Sequence, residues 1–359
     1  SVMQEVEDTF DVGKIPGVDL TCGGRLHTNG NVIGRILKSD KDEISKLQSL
    51  RLTLGAMHSA GLTWKEIAME LFGLAKVYMQ ASIPHDAEVF CPADPKAEKV
   101  VMNFLGHFLK GNSGIHGMDN LAQAMELNAQ GESVQFYSVP HQSAVEPVFL
   151  KILLQREAET ATNAAHKKAA EAMLQQLVVL IGQKVLHSRF RRTFSEAVNG
   201  LFTVPPKYRA NLEENEKDLL TAHSANIAKI IEYMRSDPRF AMFIFPEGGF
   251  TREQQIGFQP MTAQLSKDTY VTPIYMKSPE GFLRPELGDG MYMAPSTVTV
   301  YVGKPFTLEA GNIGARISTL VTTCRNNVRA IDAPTGTRQW GFMKRDRQSE
   351  VGEKFIPIA

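Results

Sequence analysis

Apolar residues recur along this chain at two spacings, and the change from one to the other sets out its elements. The stretches "DEISKLQSLRLTLGAMHSA" (42–60) and "TWKEIAMELFGLAKVYMQA" (63–81) carry Ile, Leu and Met at helical spacing, interrupted at Gly61-Leu62. They predict a small N-terminal helical domain. Thr63 is a candidate N-cap, with Glu66 three residues on as its capping-box partner. Residues 1–40 are rich in glycine and turn formers and predict loop. The segment 82–95, with three prolines, predicts a linker, so the expected division is 1–84 and 85–359.

Beyond residue 95 the spacings alternate. Helices are predicted at 96–110, about 118–130, 146–174, about 211–235 and about 313–330. Short apolar runs predict strands at 133–139, 176–182, 240–245, 270–276 and 296–303. "GNSGIHG" (111–117) reads as a turn, 183–209 as a basic loop, and the tail after Pro334 as irregular. Strands separated by helices predict an α/β fold with a mixed, mostly parallel sheet flanked by helices.

Composition narrows the classes. Lys+Arg and Asp+Glu stand at 39 each, so overall charge gives nucleic acid no support as a partner. Cys22, Cys91 and Cys324 are far apart, which argues against a disulfide framework or a zinc site. Apolar runs such as "LVVLIG" (177–182) fall short of the ~18 residues that span a bilayer. At most, peripheral membrane contact is expected.

Three stretches at predicted strand ends carry candidate chemistry. In "VPHQSAVEP" (139–147), Glu146 follows His141 by five residues and precedes Pro147. Proline is favoured at the first helical position, which would put Glu146 near an N-cap. A carboxylate bonded to one imidazole nitrogen would fix the tautomer and leave the other nitrogen as a base. On spacing alone, an exposed loop histidine and a first-turn glutamate favoured by the helix dipole fit as well. In "FIFPEGGFTREQ" (243–254), a strand runs into Pro246-Glu247-Gly248-Gly249, and Arg252 could grip an anion bidentately. The segment 184–209 holds Lys184, Arg189, Arg191, Arg192, Lys207 and Arg209 against the single acid Glu196, a net of +5. Its alternatives are a solvated face and an anion site for a phosphate ester or an acidic protein.

Together these blocks resemble the glycerolipid acyltransferases, with their His-x4-Asp and Phe-Pro-Glu-Gly motifs, and more closely the soluble plastid-type glycerol-3-phosphate acyltransferases. "HQSAVEP" is similar to that group's His-Gln-Thr-x-x-Asp-Pro, "LIGQKVLHSRFRRTFS" to its second block, and "YVTPIYM" to its fourth. The similarity spans about residues 85–310, and the helices of 41–82 sit where that group carries an N-terminal bundle.

The resemblance implies acyl transfer from an acyl carrier protein (ACP) or CoA thioester to the sn-1 hydroxyl of glycerol 3-phosphate, without metal or redox cofactor. It implies His141 as general base and Glu146 in the place of the orienting carboxylate. Arg252 and Lys207 would hold the phosphate, and Pro246, Glu247, Gly248 and Gly249 would form the substrate loop. It also implies a soluble location in the plastid stroma, with the bacterial cytoplasm as the alternative. The sequence departs from the group at several positions. Glu146 replaces Asp, Phe250 stands where the group can carry a further arginine, Tyr208 where it can carry histidine, and Pro140 where Asn is more usual. Arg209 and Lys184 are then candidates to rebuild the phosphate grip. The alternatives are an acyltransferase acting on 1-acylglycerol 3-phosphate and a non-catalytic carrier- or lipid-binding relative.

Overall fold

Strands buried on both faces read as unbroken apolar runs, because helices cover a parallel sheet from either side. The computed structural model of the chain shows this arrangement. It describes residues 12–18, 42–81, 90–138, 145–182, 185, 189–203, 213–235, 237–246, 265–277, 283–285, 291–293, 295–307, 343–346 and 354–357. Along the chain run α1 (Asp42–Ser59), α2 (Trp64–Ala81), β1 (Phe90–Cys91), α3 (Pro95–Gly106), β2 (Gly114–His116), α4 (Met118–Ala129) and β3 (Val134–Ser138). There follow α5 (Glu146–Thr160), α6 (Ala164–Gln176), β4 (Leu177–Gly182), α7 (Arg189–Ser195), β5 (Asn199–Thr203), α8 (Glu214–Met234) and β6 (Ala241–Ile244). Last come β7 (Tyr270–Lys277), β8 (Leu283–Pro285), β9 (Met291–Met293), β10 (Thr299–Val302), β11 (Met343–Asp346) and β12 (Lys354–Pro357).

Eight strands form one mixed sheet in the order β1-β5-β4-β6-β3-β7-β10-β2. The five central strands from β5 to β7 are parallel to their neighbours. The edge strand β1 runs antiparallel to β5, and β10, with β2 parallel beside it, runs antiparallel to β7. This is the α/β class predicted from the pattern.

Alternate side chains of each strand point to opposite faces, and the core divides accordingly. Phe136, Val179 and Phe243 pack with α2 to α6, burying Ile67, Leu74, Phe104, Phe149 and Met173. Tyr137, Val178 and Met242 face the other way and pack against Ile227, Ile230 and Ile231 of α8. The helices α1 and α2 share their core with the α/β body, through Met57, Ile67 and Leu74. The predicted capping box is present. Thr63 N and Oγ1 donate to Glu66 Oε2 at 2.7 and 3.0 Å, and Glu66 N donates back to Thr63 Oγ1 at 3.2 Å. These bonds hold the Glu66 carboxyl below its ordinary pKa, the backbone one most strongly.

Several expectations change. Inside the predicted turn 111–117 lies β2, held by its pairing with β10. The predicted linker contains β1, which closes the sheet edge, and residues 82–89 lie outside the described residues. The expected single helix 146–174 is two helices, because Asn163 accepts from Ala165 N and His166 N and starts α6 afresh. The predicted basic loop contains α7 and β5. In the N-terminal loop region, Val12–Lys14 forms a 3-10 turn and Ile15 is buried against the α8 side of the sheet. The tail expected to be irregular carries the antiparallel pair β11–β12. The helix predicted at 313–330 lies outside the described residues.

Candidate active site at the carboxyl edge of the sheet

Four of the parallel strands end at the same edge, as their registers show. Tyr137 pairs with Ile244, Val179 with Phe243, and Gly182 with Thr203. The onward connections of the adjacent strands β4 and β6 run in opposite directions across the sheet, from β4 to β5 and from β6 to β7. Such a divergence opens a ligand crevice outside the carboxyl ends of the strands.

The candidate residues follow those ends closely. His141 lies three residues beyond Ser138, Lys184 two beyond Gly182, Lys207 four beyond Thr203, and Glu247 three beyond Ile244. His141, Lys184, Lys207, Arg209, Glu247, Gly248, Gly249 and Arg252 themselves lie outside the described residues.

Glu146 and Pro246 are described. Glu146 is the first residue of α5 and is 0% exposed. Val145 takes the cap position and Pro147 the second helical position, so Glu146 sits one place further into the helix than predicted. A carboxylate in the first turn is favoured by the helix dipole, and the missing proline N–H costs no intrahelical bond. The helix is buried at every position from Glu146 to Leu154, which holds its first turn against the sheet. Pro246 is buried after Phe245, whose ring stands edge-on to Phe243 of β6 at 5.3 Å.

Two groups were not legible in the sequence, Ser138 at this edge and Lys151 farther along α5. Ser138, the last residue of β3, is 1% exposed and its hydroxyl has no hydrogen-bond partner among the described residues. Its only sequence signal is a polar residue closing an apolar run. Lys151 of α5 is buried among apolar neighbours. Its Nζ donates to Ala197 O at 2.7 Å and pairs with Glu98 Oε2 at 3.0 Å, tying α5 to α3 and to the chain entering β5. The helical run around it gave no sign of a buried cation.

The basic segment is less uniform than its composition. Arg192 is buried and its Nε donates to Glu196 Oε1 at 3.2 Å, so the segment's one acid is engaged by its neighbour. Asp237, before β6 and therefore at the opposite edge, is held below the usual carboxylate range by hydrogen bonds from the Arg239 side chain. Among the described residues, no three His, Cys, Asp or Glu gather where a metal could be held, and no helix is long and apolar enough to cross a membrane.

Compared with models of known protein families, the chain matches none. A search of curated proteins also finds no match.

Proposed function

We propose that this chain transfers an acyl group from acyl-ACP or acyl-CoA to the sn-1 hydroxyl of glycerol 3-phosphate, giving lysophosphatidate. One observation carries the reading. A fully buried carboxylate, Glu146, opens the helix after β3, five residues beyond His141 in the sequence, and the adjacent strand β6 ends at the same edge, followed in the sequence by Pro246-Glu247-Gly248-Gly249. The resemblance of four sequence blocks to those of the glycerolipid acyltransferases, two of which contain these same residues, also supports it.

In this reading His141 takes the proton of the sn-1 hydroxyl as its oxygen attacks the thioester carbonyl. Glu146 holds the imidazole in the tautomer that can accept it. The tetrahedral oxyanion collapses, the C–S bond breaks, and the thiolate leaves with the proton that His141 carried. The ester forms directly, with no acyl-enzyme, metal or redox cofactor called for. Arg252 and Lys207 bind the phosphate, with Arg209 and Lys184 making good the basic positions at which this chain departs from the family. Pro246, Glu247, Gly248 and Gly249 line the acceptor. A soluble plastid enzyme is the location this reading favours, with the bacterial cytoplasm as alternative.

A second reading, a non-catalytic carrier- or lipid-binding relative, is favoured by one observation, the glutamate at 146 in place of aspartate. Mass spectrometry of purified protein incubated with acyl-ACP and glycerol 3-phosphate separates the two. Formation of lysophosphatidate supports transfer. Absence of product, with glycerol 3-phosphate still bound, rejects transfer in favour of the second reading.

A further inference from the structure

Among the described residues, five large apolar side chains stand exposed, and four of them lie on α2: Trp64, Met69, Phe72 and Met79, each 58–69% exposed. The fifth is Tyr233 of α8. Helix α2 already buries Ile67, Leu74, Val77 and Ala81 on its inner side, so the exposed residues form a second apolar face on its outer side, where the Trp64 ring also stacks on His58 at 4.1 Å. At about 100° per residue, Met69, Phe72, Lys76, Met79 and Lys65 fall within about 80° of one another. Trp64 extends the stripe at the helix start.

The charges around the stripe are of one sign. Lys65 and Lys76 are both exposed within it, and the Lys76 ammonium lies over the Phe72 ring at 4.5 Å. The acids of the helix turn to another flank and are engaged there, Glu66 in the capping box and Glu70 with His107 at 2.9 Å. An exposed apolar stripe that carries cations and, among the described residues of its helix, no acid matches a surface that is apolar inside and anionic at its boundary.

We propose that α2 docks this protein on a bilayer bearing anionic headgroups. Phe72, Met69 and Met79 enter the acyl boundary, Trp64 sits at headgroup level, and Lys65 and Lys76 reach the lipid phosphates on their flexible stems. A bilayer accommodates the stripe as it stands, since one helix face with two lysines needs no shaped partner. The docking rests on α2 alone and is independent of the acyl-transfer reading.

Vesicle co-sedimentation of the whole chain tests it, using phosphatidylcholine with and without about one-third phosphatidylglycerol. Binding is expected to the anionic vesicles and to be weakened by added salt. Lys65→Gln with Lys76→Gln should weaken it about twenty-five-fold, at roughly fivefold per lysine near a charged surface. Phe72→Ser with Met79→Ser should abolish it. Circular dichroism establishes that the variants are folded, and Tyr233→Ser serves as a surface control that should bind as wild type does. Three results would overturn the proposal: a folded wild-type chain that ignores anionic vesicles, binding that survives both double variants, or a lipid-free dimer that the Phe72/Met79 variant dissociates.

Discussion

Lys151 and Glu98 form a pair in which the two partners differ sharply in burial, and this makes an unexpected ranking of substitutions. The Lys151 side chain is 5% exposed and that of Glu98 36%. Burial alone predicts that changing the lysine costs more. The physical cost, however, is set by what is left behind. Glu98→Ala leaves a buried ammonium with Ala197 O as its one remaining acceptor. Breaking a buried pair this way costs about 3–5 kcal/mol, which partial screening at Glu98 reduces to about 2–3. Lys151→Met keeps the stem's packing, lets the Glu98 carboxylate return to water, and leaves the Ala197 carbonyl short of a donor, about 1–2 kcal/mol. Urea unfolding at equal m-value should therefore find Glu98→Ala the more damaging by about 1 kcal/mol. The double variant should lose less than the sum of the singles, since it carries no stranded charge. A Lys151→Met variant less stable than Glu98→Ala, or simple additivity, would refute this account of the pair.

Three further outcomes are expected. Gly117 has φ +89° at the junction of β2 and α4, and a Cβ there would fall on the Val302 carbonyl oxygen. Gly117→Ala should cost at least about 1–3 kcal/mol from backbone conformation alone, read as a lower urea midpoint. The pKa of Glu66 is lowered on folding, so its contribution to stability is fully present above the ordinary glutamate value of 4.5 and is lost as pH falls through the lowered one. The stability gap between wild type and Glu66→Gln should therefore narrow below about pH 4.5 in acid-titrated unfolding curves, and a gap constant with pH would count against the capping box. Under the proposed mechanism, Glu146→Asp should change kcat while the KM for glycerol 3-phosphate stays within about twofold, because the acid orients His141 and leaves the phosphate alone.

The sequence reading succeeded where a local pattern and the tertiary outcome agree. The runs that became β3 and β6 are buried at every position, and strands covered on both faces have that composition. Thr63 and Glu66 announce a capping box by spacing alone. It failed where long-range contacts decide. The three residues of β2 include a glycine and become a strand through β10, far along the chain. Strand β5 lies within a basic stretch, and Asn199 fixes its start by accepting from Ala93 N at 2.8 Å and donating to Leu177 O at 3.2 Å. The break between α5 and α6 was legible in Asn163, a good N-cap, but the helix-forming residues on both sides hid it. At the candidate site, Glu146 was readable as a first-turn acid. Its complete burial was not, because it follows from the packing of α5 on the sheet. Nor could spacing show that four candidate stretches leave strands at one edge, which depends on strand order.

Glycerol-3-phosphate-dependent release of free carrier thiol from acyl-ACP, compared between wild type and His141→Ala, tests the central claim most directly. The account predicts steady release by the wild type and a loss of at least about a hundredfold in the variant, the smaller end of what a general base contributes. Wild-type release matched by a folded His141→Ala protein would contradict it.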